Sequence, residues 1–108
     1  MEAEYRKRIQ TVLSRIEKAF TDVDPDVAEC EQFLGSLTIT LADGSRCILS
    51  SQPSVQQLWL ALAARGTAYH FNFDSTQQVW MDDKGQNIEV LSFLTSYLQE
   101  TTGLRIEL

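Results

Sequence analysis

Apolar residues recur at Tyr5, Ile9, Val12, Leu13, Ile16 and Phe20. Steps of three and four put them on one stripe of a helix, so the spacing predicts a helix over residues 3–21. Pro25 disfavours helical geometry at Asp24, and the helix is expected to stop before it. From Val27 to Phe33 the period shortens to two. Glu29 and Glu31 then fall on one face of a strand, with Cys30 on the inward face. Leu37 to Leu41, the Asp43-Gly44 pair and Arg46 to Ser50 read as a hairpin. In Gln57 to Ala63 the leucines 58, 60 and 62 share one side of a strand. If they face the core, Gln57, Trp59 and Ala61 face water. Tyr69, Phe71 and Phe73 alternate with His70 and Asn72 in a further strand, and Val79, Trp80 and Met81 form a short one. Ile88, Leu91, Leu94 and Leu98, supported by Val90, Phe93 and Tyr97, make a second amphipathic helix that Gly103 terminates, leaving Leu104 to Leu108 as a tail.

The order is helix, five or six strands joined by turns too short for crossovers, then helix. It predicts an α+β two-layer sandwich, an antiparallel sheet of five to six strands with the N- and C-terminal helices packed on one face. At 108 residues the chain is expected to form a single domain over 1–108.

Charge narrows the partners. Fifteen Asp and Glu against nine Lys and Arg give a net charge of −6, which repels phosphate backbones and anionic headgroups, so neither nucleic acid nor membrane is expected as a partner. Cys30 and Cys47 lack Cys-x-x-Cys spacing and read as reduced thiols. Glu2 and Glu4 precede Arg6, Lys7 and Arg8, and no apolar run of signal-peptide length follows. No targeting segment is read, and a cytoplasmic location is expected.

Most catalytic chemistries find no residues. His70 is the sole histidine, no serine sits in Gly-x-Ser-x-Gly, and phosphate-loop and dinucleotide glycine patterns are absent. His70, opposite the aromatic face of its strand, reads as an ordinary surface residue. Asp22, Asp24 and Asp26 imitate the start of a calcium loop, but Val27 and Phe33 stand where glycine and a bidentate Glu are needed. What remains is a run of carboxylates: Glu17, Asp22, Asp24, Asp26, Glu29 and Glu31, interrupted by Lys18 alone among cations. Exposed oxygen ligands attract hard cations, iron included, without a closed site. The same run also reads as a solvated edge that keeps the protein soluble. Trp59, on an outer sheet face beside Gln57, suits a protein contact, or else packs under a loop or the tail.

The chain resembles the frataxin family in its bacterial, CyaY-type branch. The resemblance spans roughly residues 1–103. It rests on Gln57-Leu58-Trp59-Leu60-Ala61, Gly66, Tyr69-His70-Phe71, Trp80 and Asp83-Lys84-Gly85, supported by Gly35 to Thr40, Asp43-Gly44-Ser45 and the acidic stretch after helix one. It implies the same two-layer fold and an iron-binding regulatory protein, an iron donor or modulator, of iron–sulfur cluster assembly. Such a protein acts on a cysteine desulfurase and an iron–sulfur scaffold protein and is a monomer without iron. By position, Glu17, Asp22, Asp24, Asp26, Glu29 and Glu31 match the family's acidic ridge, expected to bind ferrous or ferric iron weakly. Gln57 and Trp59 match its partner-binding sheet surface. Ser50, at the end of the third strand, stands where asparagine is usual and joins that surface. Helix one also carries Arg6, Lys7, Arg8, Arg15 and Lys18, more cations than a strongly acidic ridge would want. No catalytic residues are expected. The alternatives are an iron-oxidising, iron-storing ferroxidase and a metal-free acidic adaptor; the first lacks the Glu-x-x-His pair of helical-bundle ferroxidases.

Overall fold

The computed structural model describes residues 2–108. Helix α1 spans Glu2–Ala19 and helix α2 spans Val90–Thr102. Between them run β1 (Ala28–Phe33), β2 (Ser36–Leu41), β3 (Arg46–Gln52), β4 (Gln57–Leu62), β5 (Thr67–Asp74) and β6 (Val79–Asp82), with short 3-10 turns at Pro53–Val55 and Ala63–Arg65. The six strands form one antiparallel meander in the order β1-β2-β3-β4-β5-β6. The α+β two-layer sandwich follows from that order, since each strand pairs with its sequence neighbour and both helices are left to cover one face.

The core lies between helices and sheet. Tyr5, Ile9, Val12, Leu13 and Ile16 of α1 meet Leu37, Ile39, Leu49, Leu58, Leu60 and Phe71 of the sheet and Leu94 and Leu98 of α2. Alternation decides the facing: Leu58, Leu60 and Leu62 are buried, while Gln57 and Trp59 are half-buried and Ala61 exposed on the other side.

Helix α1 ends two residues before the predicted limit. The Phe20 and Thr21 N–H groups reach back three residues, to the Glu17 and Lys18 carbonyls, in a tightened final turn. Helix α2 starts at Val90 because the Glu89 side chain accepts hydrogen bonds from the Leu91 and Ser92 N–H groups, so Ile88 precedes the helix. Its buried stripe is Val90, Leu94, Tyr97 and Leu98, with Leu91 only half-buried. Gly103, at φ 73°, ends it in the left-handed conformation glycine tolerates. The segment after it is more than a tail: Ile106 is 7% exposed, Leu104 and Leu108 pack against the core, and Arg15 donates to the Leu108 carbonyl at 2.8 Å. Among the described residues no helix is long and apolar enough to cross a membrane.

One phenol ties the helical layer to the strands that carry the outer face. The Tyr5 hydroxyl, buried under α1, donates to the Gln57 carbonyl at 2.6 Å and accepts from the Gln52 N–H at 2.9 Å. It thereby bridges the end of β3 and the start of β4 across the Pro53–Val55 turn.

Candidate functional site on the outer sheet face

Both helices cover the inner face, so the outer face is bare. Strand register sets what it displays. Trp59 lies directly between Ser50 of β3 and His70 of β5. Gln57 stands two residues along β4 on the same side, and Asn72 stands two along β5 from His70. Ser50, Gln57 and Trp59 therefore form one patch.

Trp59 is half-buried rather than freely exposed. Its ring stacks on His70 with centroids 4.2 Å apart and planes 14° from parallel, covering one indole face. Its Nε1–H donates to Gln57 Oε1 at 2.8 Å. The Gln57 amide in turn donates to Asn72 Oδ1 and Asp83 Oδ2, both at 3.2 Å. Asp83 Oδ2 also lies 3.6 Å from His70 Nδ1, an ion pair when the imidazole is protonated. His70 lies at the surface, as the sequence predicts, but is joined to Trp59 and Asp83 in a connected network. Phase along β5 already set His70 on the outward side; what the sequence lacked was the cross-strand register that puts it opposite Trp59. Asp82, the neighbour of Asp83, is committed elsewhere. Its carboxylate accepts from Ile88 N–H at 2.8 Å, Gln86 N–H at 2.9 Å and Lys84 N–H at 3.1 Å. Those bonds, Ile88's foremost, hold its carboxyl below the usual carboxylate range.

The carboxylates lie at the opposite edge. Strand β1 pairs only with β2, leaving its other side open. Glu29 and Glu31 point outward from it, on the same sheet face as Trp59. Glu17 sits in the last turns of α1, where its Oε1 accepts from Gln32 Nε2 at 3.0 Å. Asp22, Asp24 and Asp26 occupy the α1–β1 connection, in which Asp24 Oδ1 accepts the Asp26 N–H at 2.9 Å. All six are exposed and, among the described residues, none is ion-paired. They form a ridge and not a cage, since no three ligand-type side chains among the described residues gather closely enough to hold a metal. Any hard cation there would meet one or two carboxylates and complete its shell with water. Charges on an edge strand also deter pairing with another sheet.

Three of the five cations of α1 are directed away from this ridge. Gln10 and Glu17 turn toward Gln32 of β1, whereas Lys7, Arg8 and Arg15 line a groove of about 910 Å³ between the two helices, floored by Val12, Phe73 and Trp80. Arg8 is held there by Glu4 at 2.6 Å and by the Phe73 ring at 4.3 Å. Arg6 stays outside the groove, paired with Glu2 at 2.7 Å.

Cys30 and Cys47 are free thiols. Burial, with Glu17 second, pushes the Cys30 thiol up to about 12, and burial, with Asp43 second, pushes Cys47 up to about 11. Neither is a ready thiolate for metal or nucleophilic chemistry at neutral pH.

Known proteins place this arrangement. The frataxin-like domain family matches residues 1–104. The iron–sulfur cluster assembly protein CyaY of Stutzerimonas stutzeri is 37% identical over 107 residues, covering 98% of this chain and 93% of its own. The CyaY of Paraburkholderia phymatum is 31% identical, covering 99% and 96%. Among solved structures, the frataxin of Psychromonas ingrahamii superposes with a TM-score of 0.86 at 19% identity, covering 98% of this chain and 95% of that one. A trimeric yeast frataxin, from Saccharomyces cerevisiae and complexed with ferrous iron, gives a TM-score of 0.64 at 18% identity, covering 95% and 86%. With a family match over nearly its whole length and full-length relatives above 30% identity, this chain belongs to the frataxin-like family.

Proposed function

We propose that this protein is an iron-binding regulator of iron–sulfur cluster assembly that acts on the cysteine desulfurase and scaffold complex. The observation that carries the reading is that Glu29 and Glu31, the strand members of the acidic ridge, share one bare sheet face with the Ser50, Gln57 and Trp59 patch. In this reading a partner with a basic surface is drawn in by the ridge and held by packing on Trp59. Iron is cargo here. Glu17, Asp22, Asp24, Asp26, Glu29 and Glu31 offer hard oxygen ligands in an open array, which suits loose, exchangeable binding rather than a resident centre. The naming of bacterial relatives as assembly proteins, and the yeast frataxin complexed with ferrous iron, support both halves of the reading.

Two measurements test it. Desulfurase turnover is recorded with and without the protein, and ferrous iron is titrated while the amide signals of residues 17–31 are followed. The reading expects a change in turnover and shifts confined to the ridge. Those shifts should vanish in the variant carrying D22N, D24N, D26N, E29Q and E31Q. Unchanged turnover removes the regulatory half. Partner binding without any iron-induced shift leaves the metal-free adaptor.

A further inference from the structure

Three large apolar side chains stand exposed among the described residues: Phe33 at 73%, Leu34 at 88% and Val55 at 54%. Phe33 and Leu34 are adjacent, at the tip of the β1–β2 hairpin. Phe33 has the same phase as Glu29 and Glu31 and faces outward. The register Phe33, Ser36, Ser50, Trp59 puts it in one transverse row with the patch above, about 14 Å from Trp59 at the usual strand spacing.

The turn makes this tip unusual. Leu34 and Gly35 have φ of 43° and 80°, the two left-handed positions of a type I′ turn, which prefers Asn-Gly or Asp-Gly. Gly35 is required by its φ, and a Cβ there would in addition lie 2.8 Å from Ser51 Oγ and force that hydroxyl to turn away. Leu34 is not. A branched apolar residue in the left-handed region is strained, and at its exposure it recovers nothing by burial. Phe33, also largely unburied, adds a second apolar surface to the same point. The fold is served by neither side chain.

We infer that Phe33 and Leu34 form an apolar anchor that inserts into an apolar pocket of a protein partner, a pocket rimmed by Lys or Arg. The rim follows from charge complementarity. Glu31 and Glu29 lie two and four residues back along the same strand face, and Glu17 is tied beside them through Gln32, so anything that receives the tip also meets this acidic flank. The inference rests on the docking function proposed above and extends its surface from Trp59 across to the ridge.

Strain makes the test sharp, because stability and affinity should move in opposite directions. Leu34→Asn supplies the residue the turn prefers and should leave the melting temperature unchanged or raise it by a few degrees. It should also weaken binding to a purified bacterial desulfurase–scaffold complex, with the Phe33→Ser/Leu34→Asn double variant about tenfold or more weaker than wild type. Interferometry against desulfurase, scaffold and complex separately identifies which carries the pocket. Equal binding by wild type and the double variant overturns the anchor while leaving the docking function intact. Absence of wild-type binding to all three overturns both. A self-association of the wild type, seen by sedimentation and lost in the double variant, assigns the tip to a second copy of the chain and overturns the assignment to a partner.

Discussion

Replacing Tyr5 by Phe tests how the helical layer holds the outer sheet face in place. The substitution keeps the ring, which is 4% exposed and packs edge-on to Trp80 at 6.2 Å, and removes only the hydroxyl. Two hydrogen bonds go with it, from the Gln52 N–H at 2.9 Å and to the Gln57 carbonyl at 2.6 Å. Stranding a buried backbone group costs about 1–3 kcal/mol, and both groups here lie on half-buried residues, so the expected loss is about 2 kcal/mol in total. For a domain of this size that lowers the melting temperature by roughly 8–16 °C and the urea midpoint by about 1 M. The Gln52 amide should exchange markedly faster, and Trp59 emission should shift as Gln57, which holds its indole N–H, loosens. The loss should also depend on pH. Burial raises the Tyr5 phenol above its usual 10.0. A raised acid favours the protonated fold, so its stabilisation is complete below pH 10 and declines as pH rises through the folded value. Wild type should lose stability above pH 10 more steeply than Tyr5→Phe, and the gap between them should narrow. Thermal denaturation from pH 7 to 11 measures this. A melting point within about 2 °C of wild type, with unchanged Gln52 exchange, would refute the bridge.

Other expectations follow from the same geometry. Affinity for the desulfurase should fall steadily as salt rises, since ridge charges act over a screening length of about 8 Å at physiological ionic strength, whereas Trp59→Ala should raise the dissociation rate with little change in salt slope. A flat salt series removes the ridge as a docking surface. Ile106→Ala should destabilise the fold by about 2–5 kcal/mol in urea denaturation, as a core residue does, while a solvated tail residue would give almost nothing. Asp82→Asn should lower the melting point at pH 7, because a carboxylate holding three N–H groups is weakened. The lowered carboxyl stabilises the fold above the ordinary value of 3.8 and ceases to as pH falls through its folded value, so the two proteins should converge in acid. A difference that persists at pH 2 refutes the carboxylate's part.

Phase along the chain determined much of this protein. Steps of three and four fixed the buried stripe of α1, alternation set which sides of β1 and β4 face out, and short turns forced an antiparallel meander, because local sterics and apolar periodicity act within a few residues. The carboxylate run and Gln57-Leu58-Trp59 were legible for the same reason, being contiguous. Cross-strand facts were not. That Trp59 stacks on His70, that Gln57 ties it to Asn72 and Asp83, and that Lys7, Arg8 and Arg15 of α1 line a groove away from the ridge depend on register and packing among distant residues. Ile106 is core because the chain folds back after Gly103, which no local period encodes. The Leu34 strain is likewise tertiary. Leu-Gly sets no left-handed pair by itself; the β1–β2 register, with Phe33 opposite Ser36, leaves only two residues to reverse the chain, and the right-handed twist of paired strands then demands positive φ at both.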